Sequence, residues 1–410
     1  KKLEIVGEKV LNNLIFHLGL IELLSYWKTT CSPEIIIKAG FLNSEQLSFW
    51  KDLIIKGMGQ FFYENKINFH KPNFIRIISA QKDNRTRTFL LPLKNRVLVP
   101  VGGGKDSIVT LEILKKAKKE LNSFLVNPTK AAKKVVKIAG IKKPIIVQRK
   151  IDPILLQLNK KGYLNGHTPF TAVLSFLSVF CAVLFDYKNI AFSNEKSADE
   201  GNVKYLGKII NHQYSKTSEF ERKFKNYCKK YLAKNINYFS FSRPYTELEI
   251  SKMFTKYPKY FLAFSSCNRA SKIGERWCGN CPKCLFVFAT IYPFLDEKKL
   301  IKIFGKNLFK KKELLPIMQE LIGERGFKPF ECVGTKKETL AAFYLSWKKN
   351  RDPVSIKLPF LLEYFEKKIL PKHPNLRKES IKILNSWNNQ NNLPKELKKI
   401  LKVLLLTEIE

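Results

Sequence analysis

Between residues 96 and 257, short runs of consecutive apolar residues alternate with longer segments of helical period. The runs Arg96–Val101, Ser123–Val126, Pro144–Gln148, Asn189–Ser193 and Ile236–Phe241 read as strands, and the segments 106–120, 129–139, 169–187, 218–234 and 246–257 read as helices. Strands that are apolar along their whole length need cover on both faces. The pattern therefore predicts an α/β fold, a doubly wound and mostly parallel sheet whose site lies at the carboxyl ends of the strands.

The flanks have a different texture. Residues 1–92 mix a helical pattern, "SEQLSFWKDLIIKGMGQFFYEN", with a β-like run, "FIRIISA", and a polar turn, "QKDNRTRT", which predicts an N-terminal α+β domain. Residues 93–295 form the α/β domain. Residues 296–410 are lysine-rich and helical in period, with breaks at "NRDPVS", "LPKHPN" and "NNQNNLPK". The first residues, "KKLEIVGEKVLNNLIF", lack a small-residue cleavage site and read as an amphipathic helix; without an initiator Met the chain reads as trimmed or as a fragment. The uncharged stretch "FTAVLSFLSVFCAVLF" (170–185) falls short of the roughly 18 apolar residues of a membrane span and reads as a buried helix.

Composition adds less than the charge suggests. A chain of 410 residues with 45% hydrophobic content is a folded protein large enough for two or three domains. The net charge of +39 would in many proteins indicate nucleic acid or an anionic membrane. Only 12 of the 74 cationic residues are arginine, and the lysines are spread along the whole chain among Asn, Ile and Phe. The excess reads as solvated surface, so neither nucleic acid nor a membrane is expected as a partner, although an anionic ligand would be attracted. Four of the eight cysteines fall between 267 and 284, which points to a metal in a reducing cytoplasm rather than a secreted disulfide framework.

The first strand runs into "VPVGGGKDS" (99–107). A Walker A loop would need Ser or Thr after Gly104-Lys105, where Asp106 stands, and a dinucleotide fingerprint would need a further glycine. Gly-Gly-x-Asp-Ser between a strand and a helix instead suits backbone amides closing on an anion at a helix N-terminus. Gly102, Gly103, Gly104, Lys105, Asp106 and Ser107 resemble the pyrophosphate loop (PP-loop) of the ATP pyrophosphatases, which typically reads Ser-Gly-Gly-x-Asp-Ser; Gly102 departs from that pattern.

Cys267, Cys278, Cys281 and Cys284 form a Cys-x10-Cys-Gly-x-Cys-x-x-Cys array. Four thiolates suit a tetrahedral zinc with no open position, hence a structural site. The array resembles the zinc site of the 7-cyano-7-deazaguanine synthase branch of the same superfamily.

Further polar stretches sit at strand ends. "FSNEKSADEGN" (192–202) puts Ser193, Asn194 and Glu195 at the sheet edge, and the Glu195 carboxylate is of the type magnesium prefers. "NHQYSKTSEFE" (211–221) brings His212, Tyr214 and Lys216 ahead of a helix for which Ser218 and Glu221 read as a capping box. In "NGHTPFTA" (165–172), Thr168 reads as a cap with His167 beside it. In "GERGFKPFECVGTKKE" (323–338), the Cys332 thiol is a candidate acid or base at an amino-acid α-carbon.

Together, "VPVGGGKDS", "NGHTPFTA", "FSNEKSADEGN", "NHQYSK", "CGNCPKC" and "KPFECVGT" resemble the UDP-N-acetyl-α-D-muramoyl-L-alanyl-L-glutamate epimerase family, the MurL type, over about residues 90–340. The resemblance implies an isomerase that turns the terminal L-Glu of UDP-MurNAc-L-Ala-L-Glu into D-Glu for peptidoglycan synthesis, with ATP and Mg²⁺. It implies an acyl-adenylate, since a free carboxylate is a poor electron sink for its neighbouring Cα–H. Pyrophosphate would leave into the glycine loop, Lys105 or Lys216 would neutralise phosphate charge, and the acid and base would come from His167, His212, Tyr214 and Cys332. Two other readings fit the loop and the cysteines: an adenylating nucleotide- or tRNA-modifying enzyme, and a zinc-stabilised module that binds a nucleotide without turning it over. Oligomeric state has no signature in the sequence.

Overall fold

The computed structural model describes residues 6–79, 88–272, 274–351 and 357–406. Residues 81–87 of the expected polar turn and 352–355 of the expected "NRDPVS" break lie outside them. The N-terminal segment consists of α1 (Glu8–Trp27), β1 (Glu34–Ile37), α2 (Ser44–Gly57), a one-turn helix at Gly59–Glu64 and β2 (Arg76–Ser79). β1 was not expected. It is four residues long and pairs in parallel with β2, Glu34 opposite Arg76. α2 begins with a capping box between Asn43 and Gln46.

The central domain follows as β3 (Val97–Pro100), α3 (Lys105–Lys116), β4 (Leu121–Val126), α4 (Lys130–Ile138), β5 (Ile145–Val147), α5 (Phe170–Phe185) and β6 (Asn189–Phe192). After a small antiparallel hairpin, β7 (Val203–Tyr205) and β8 (Lys208–Ile210), come α6 (Ser218–Tyr231), β9 (Asn237–Ser240) and α7 (Glu247–Phe254). The five expected strands form one parallel sheet in the order β5-β4-β3-β6-β9. The five expected helices are found within a few residues of their predicted bounds. The chain winds outward from β3 through β4 to β5, then returns to the other side of β3 with β6. That reversal opens a crevice beside the carboxyl end of β3, where the glycine loop lies.

Alternation along β3 decides which helices cover which face. Val97, Val99 and Val101 join the hydrophobic cluster built with α3, α4, α7 and the C-terminal helices. Leu98 points the other way, into the cluster shared with α5, α6 and the N-terminal segment. Helix α1 has the length and apolar composition to cross a membrane; here it buries Leu14, Ile21, Leu24 and Trp27 in that second cluster. Beyond the sheet, α8 (Pro282–Ile291) and α9 (Lys336–Arg351) lead the helical C-terminal region.

Candidate active site

The glycine loop is shaped by one close approach. Gly103 has φ +93°, and a Cβ there would sit 2.7 Å from the Ala132 amide nitrogen at the start of α4. Its carbonyl also accepts the Ser265 N–H at 3.0 Å. Gly102 faces open space, with nothing within 4 Å of a Cβ. Gly104 is the N-cap of α3 and supplies no side-chain cap, so the first amides of that helix are not taken by a cap. Ser107 Oγ turns back to donate to the Gly104 carbonyl at 3.0 Å. Gly103→Ala should therefore destabilise the chain by about 1–3 kcal/mol, read by thermal melting, while Gly102→Ser should stay within about 0.5 kcal/mol.

The loop feeds a buried charge cluster. The Lys105 ammonium is enclosed and shared between Asp106 at 2.5 Å and Glu247 at the start of α7. Burial works against its charge, but the two carboxylates outweigh it and hold it protonated. Lys105 is thus tied to the protein's own acids rather than standing free for phosphate. Burial also pushes Asp106 up, yet Lys105, Lys283 and Lys216 together bring its carboxyl below the usual range. Burial raises Glu195, with the nearby charge of Asp106 adding to the rise. Asn194 donates to Ser240 Oγ at 3.1 Å and Ser193 to Thr110 Oγ1 at 2.8 Å, so both knit β6 to its neighbours.

Protic side chains gather beside this cluster. Lys216 donates to Cys332 Sγ at 3.1 Å, His212 Nε2 lies 3.9 Å from the same sulfur, and Lys283 donates to the Cys332 carbonyl. His212 Nδ1 is 2.5 Å from Gln60 Oε1, and the ring of His167 is 4.6 Å from that of His212. Burial brings His167 down to about 3 and His212 down to about 4, so both imidazoles are neutral at pH 7. Nδ1 of His167 is buried without a partner. Burial alone would raise the Cys332 thiol, but Lys216 and Lys283 outweigh it and hold it below the ordinary thiol range. A thiol biased toward its thiolate, beside neutral imidazoles, is suited to proton abstraction.

Tyr214 is not part of this group. Its hydroxyl donates to Asp52 on α2 at 2.8 Å, and burial together with that carboxylate pushes its pKa up. Two expected caps are also corrected. Thr217, not Ser218, caps α6 by accepting from the Phe220 amide, while Glu221 accepts from Arg243 and from the Ser240 amide. α5 starts from Pro169 with no side-chain cap, so Thr168 does not serve there. A Ser or Thr one residue further back already has the extended backbone that a cap requires, and Thr217 has ψ of 160°.

The four cysteines converge. Their sulfurs lie within 4.8 Å of one another, with Cys267 3.7 Å from Cys281 and Cys278 3.7 Å from Cys284. Zinc–sulfur bonds of about 2.3 Å give a tetrahedron with edges of about 3.8 Å. A disulfide would need about 2.05 Å. The donor set therefore fits a zinc ion. Cys281 caps α8, with its sulfur accepting the Cys284 amide, so the cysteine loop and that helix are built together.

The profile described as "MurL N-terminal domain" matches residues 3–241, and that described as "MurL C-terminal domain" matches 263–358. The chain belongs to the MurL family. A protein of Xanthomonas oryzae pv. oryzae named UDP-N-acetyl-alpha-D-muramoyl-L-alanyl-L-glutamate epimerase is 35% identical over 81% of this chain and 75% of its own. Proteins of the same name from a Micromonospora species and from Salinispora tropica are 34% and 33% identical, each over 82% of this chain and over 75% and 73% of their own.

Several residues of this MurL-family site carry no motif of their own. Arg243, fully buried after β9, donates to the backbone carbonyls of Glu195 at 2.6 Å and Lys216 at 2.5 Å while pairing with Glu221. It clamps two candidate residues from different loops. Glu338 accepts from the Glu247 amide at 2.7 Å, Ser197 Oγ at 2.6 Å and the Thr335 amide at 2.6 Å, fixing the Cys332 loop against α7. Arg243 and Glu247 follow β9, so the strand-end rule that drew attention to Glu195 applies to them as well. Lys283 is hidden inside Cys-Pro-Lys-Cys, where it reads as a turn residue. A further cleft beside Gly102, lined by Thr129, Lys130, Lys134, Ser266 and Arg276, adjoins the loop.

Proposed function

We propose that this chain is an ATP- and Mg²⁺-dependent epimerase of PP-loop type, converting the terminal L-Glu of UDP-MurNAc-L-Ala-L-Glu to D-Glu in peptidoglycan precursor synthesis in the cytoplasm. One observation carries the reading: the glycine loop and the protic group Cys332–Lys216–His212 meet through a single buried charge cluster. A site for leaving phosphate and a site for proton transfer are then adjacent, as carboxylate activation followed by Cα chemistry requires. The names of the relatives supply the substrate.

The α-carboxylate of the glutamate attacks the α-phosphorus of ATP, the bond to the β-phosphate breaks, and pyrophosphate departs toward Gly103, Gly104 and the first amides of α3. The basic cleft lined by Lys130, Lys134 and Arg276 suits the rest of the nucleotide. Asp106, Glu195 and Glu247 offer the hard oxygen donors that Mg²⁺ takes, and the ion would offset phosphate charge. In the mixed anhydride the carbonyl no longer carries a full negative charge, so the neighbouring Cα–H is more acidic. Cys332, held as thiolate by Lys216, takes the proton. A proton drawn from water is passed through His167 and His212 to the opposite face, each neutral imidazole taking one up on one nitrogen as it gives one from the other, and the Cys332 thiol then returns its proton to solvent. Water then cleaves the anhydride, releasing AMP and the D-Glu product.

Incubation with ATP, Mg²⁺ and UDP-MurNAc-L-Ala-L-Glu in D₂O tests the whole sequence. Deuterium at the glutamate Cα, D-Glu and AMP should all appear. Release of ADP instead of AMP would exclude the adenylate route.

A further inference from the structure

A cleft of about 730 Å³ lies between the N-terminal segment and the β7–β8 hairpin, and none of the steps above uses it. Its volume falls within the roughly 300–1,000 Å³ of small-molecule sites. Ile55, Phe74, Ile75 and Ile210 give it an apolar wall. Lys51, Lys71 and Lys208 also line it, all three exposed. Two acids border it, but both already face cations of the protein: Glu219 pairs with Lys56 at 2.5 Å and Lys223 at 2.6 Å, and Asp199 lies 3.9 Å from the Arg243 guanidinium. The three lysines therefore leave the cleft cationic.

Its position is as informative as its charge. Asn211 and Tyr214 line the cleft, while His212 and Lys216, their neighbours along the chain, turn to Cys332. The turn Tyr214–Lys216 is thus the partition between the cleft and the proton-transfer group. A ligand seated in the cleft could reach round this partition with its far end toward the thiol.

We propose that the cleft holds the uridine diphosphate end of the substrate, with Lys51, Lys71 and Lys208 meeting the diphosphate and Phe74 and Ile75 flanking the base. This rests on the epimerase reading, which supplies the UDP-linked substrate.

Calorimetric titration of the full chain with UDP alone tests it. UDP should bind, and Lys51→Glu/Lys71→Glu should weaken it at least tenfold and flatten its salt dependence. Lys208→Glu, on the hairpin side, should weaken it independently, while affinity for ATP stays unchanged in every variant and saturating ATP leaves UDP bound. Absence of UDP binding, binding indifferent to the three charges, or displacement of UDP by ATP would overturn the assignment. The two readings also fail separately. A chain that binds UDP through these lysines yet exchanges no Cα proton is not the epimerase. A chain that epimerises with a KM indifferent to the charge reversals holds its UDP elsewhere.

Discussion

Cys332→Ala is expected to lower Cα proton exchange in UDP-MurNAc-L-Ala-L-Glu by about 10²–10⁴-fold, the usual contribution of a positioned acid or base, with little change in KM. Deuterium incorporation followed by mass spectrometry reads the exchange, and AMP release reads the adenylation proposed to precede it. AMP should still form in the variant, because the thiol is not needed for attack on phosphorus. The pH profile adds a test that a merely structural thiol would not pass. Lys216 at 3.1 Å favours the thiolate, so the acid-side limb of the wild-type profile, where rate is lost as the thiolate is protonated, should lie below the ordinary thiol range. In Lys216→Met that limb should move upward. Exchange at the wild-type rate in Cys332→Ala would transfer the role of base to the histidine pair.

Loss of one zinc ligand should be felt at two distances. The wild-type chain should carry about one zinc, measured by elemental analysis, and Cys284→Ala should lose it. Structural zinc contributes on the order of 10 kcal/mol of binding energy, and each kcal/mol is worth about 2–4 °C in a domain of 150–250 residues, so melting should fall by about 20–40 °C. Cys181→Ala, buried on α5 away from the cluster, should keep the metal and lose only packing. The second effect is on chemistry. Lys283 stands between Cys281 and Cys284 and donates to the Cys332 carbonyl, so a slack metal loop should also slow Cα exchange. Retention of zinc by Cys284→Ala would show that this sulfur is not a ligand.

Some of the site was legible because its signals are local. Gly103 had to be glycine for its left-handed φ and its approach to Ala132, and the spacing of Cys278, Cys281 and Cys284 follows from one cysteine loop running into one helix. Tyr214 was misleading for a related reason. It sits two residues from Lys216, and a 3₁₀ turn sends the two side chains to opposite sides, one to Asp52 and the other to Cys332. Ser218 and Glu221 matched a capping box because the pattern tolerates a shift of one residue, and the pull of Arg243 on Glu221 is invisible in sequence. β1 escaped because four residues form a strand only when β2, about 40 positions later, lies beside them.

The sequence by itself determined the sheet, the loop at its first carboxyl end and the four-cysteine loop. Apolar continuity, glycine stereochemistry and ligand spacing act over a few residues and need no distant partner. Only the tertiary structure decided that Cys332 meets Lys216, that Lys105 is held by Glu247, and that Arg243 ties Glu195 to Lys216. Each of these pairs joins separate loops, and the resulting charge states depend on burial and neighbours that exist only after the sheet has brought those loops to one edge.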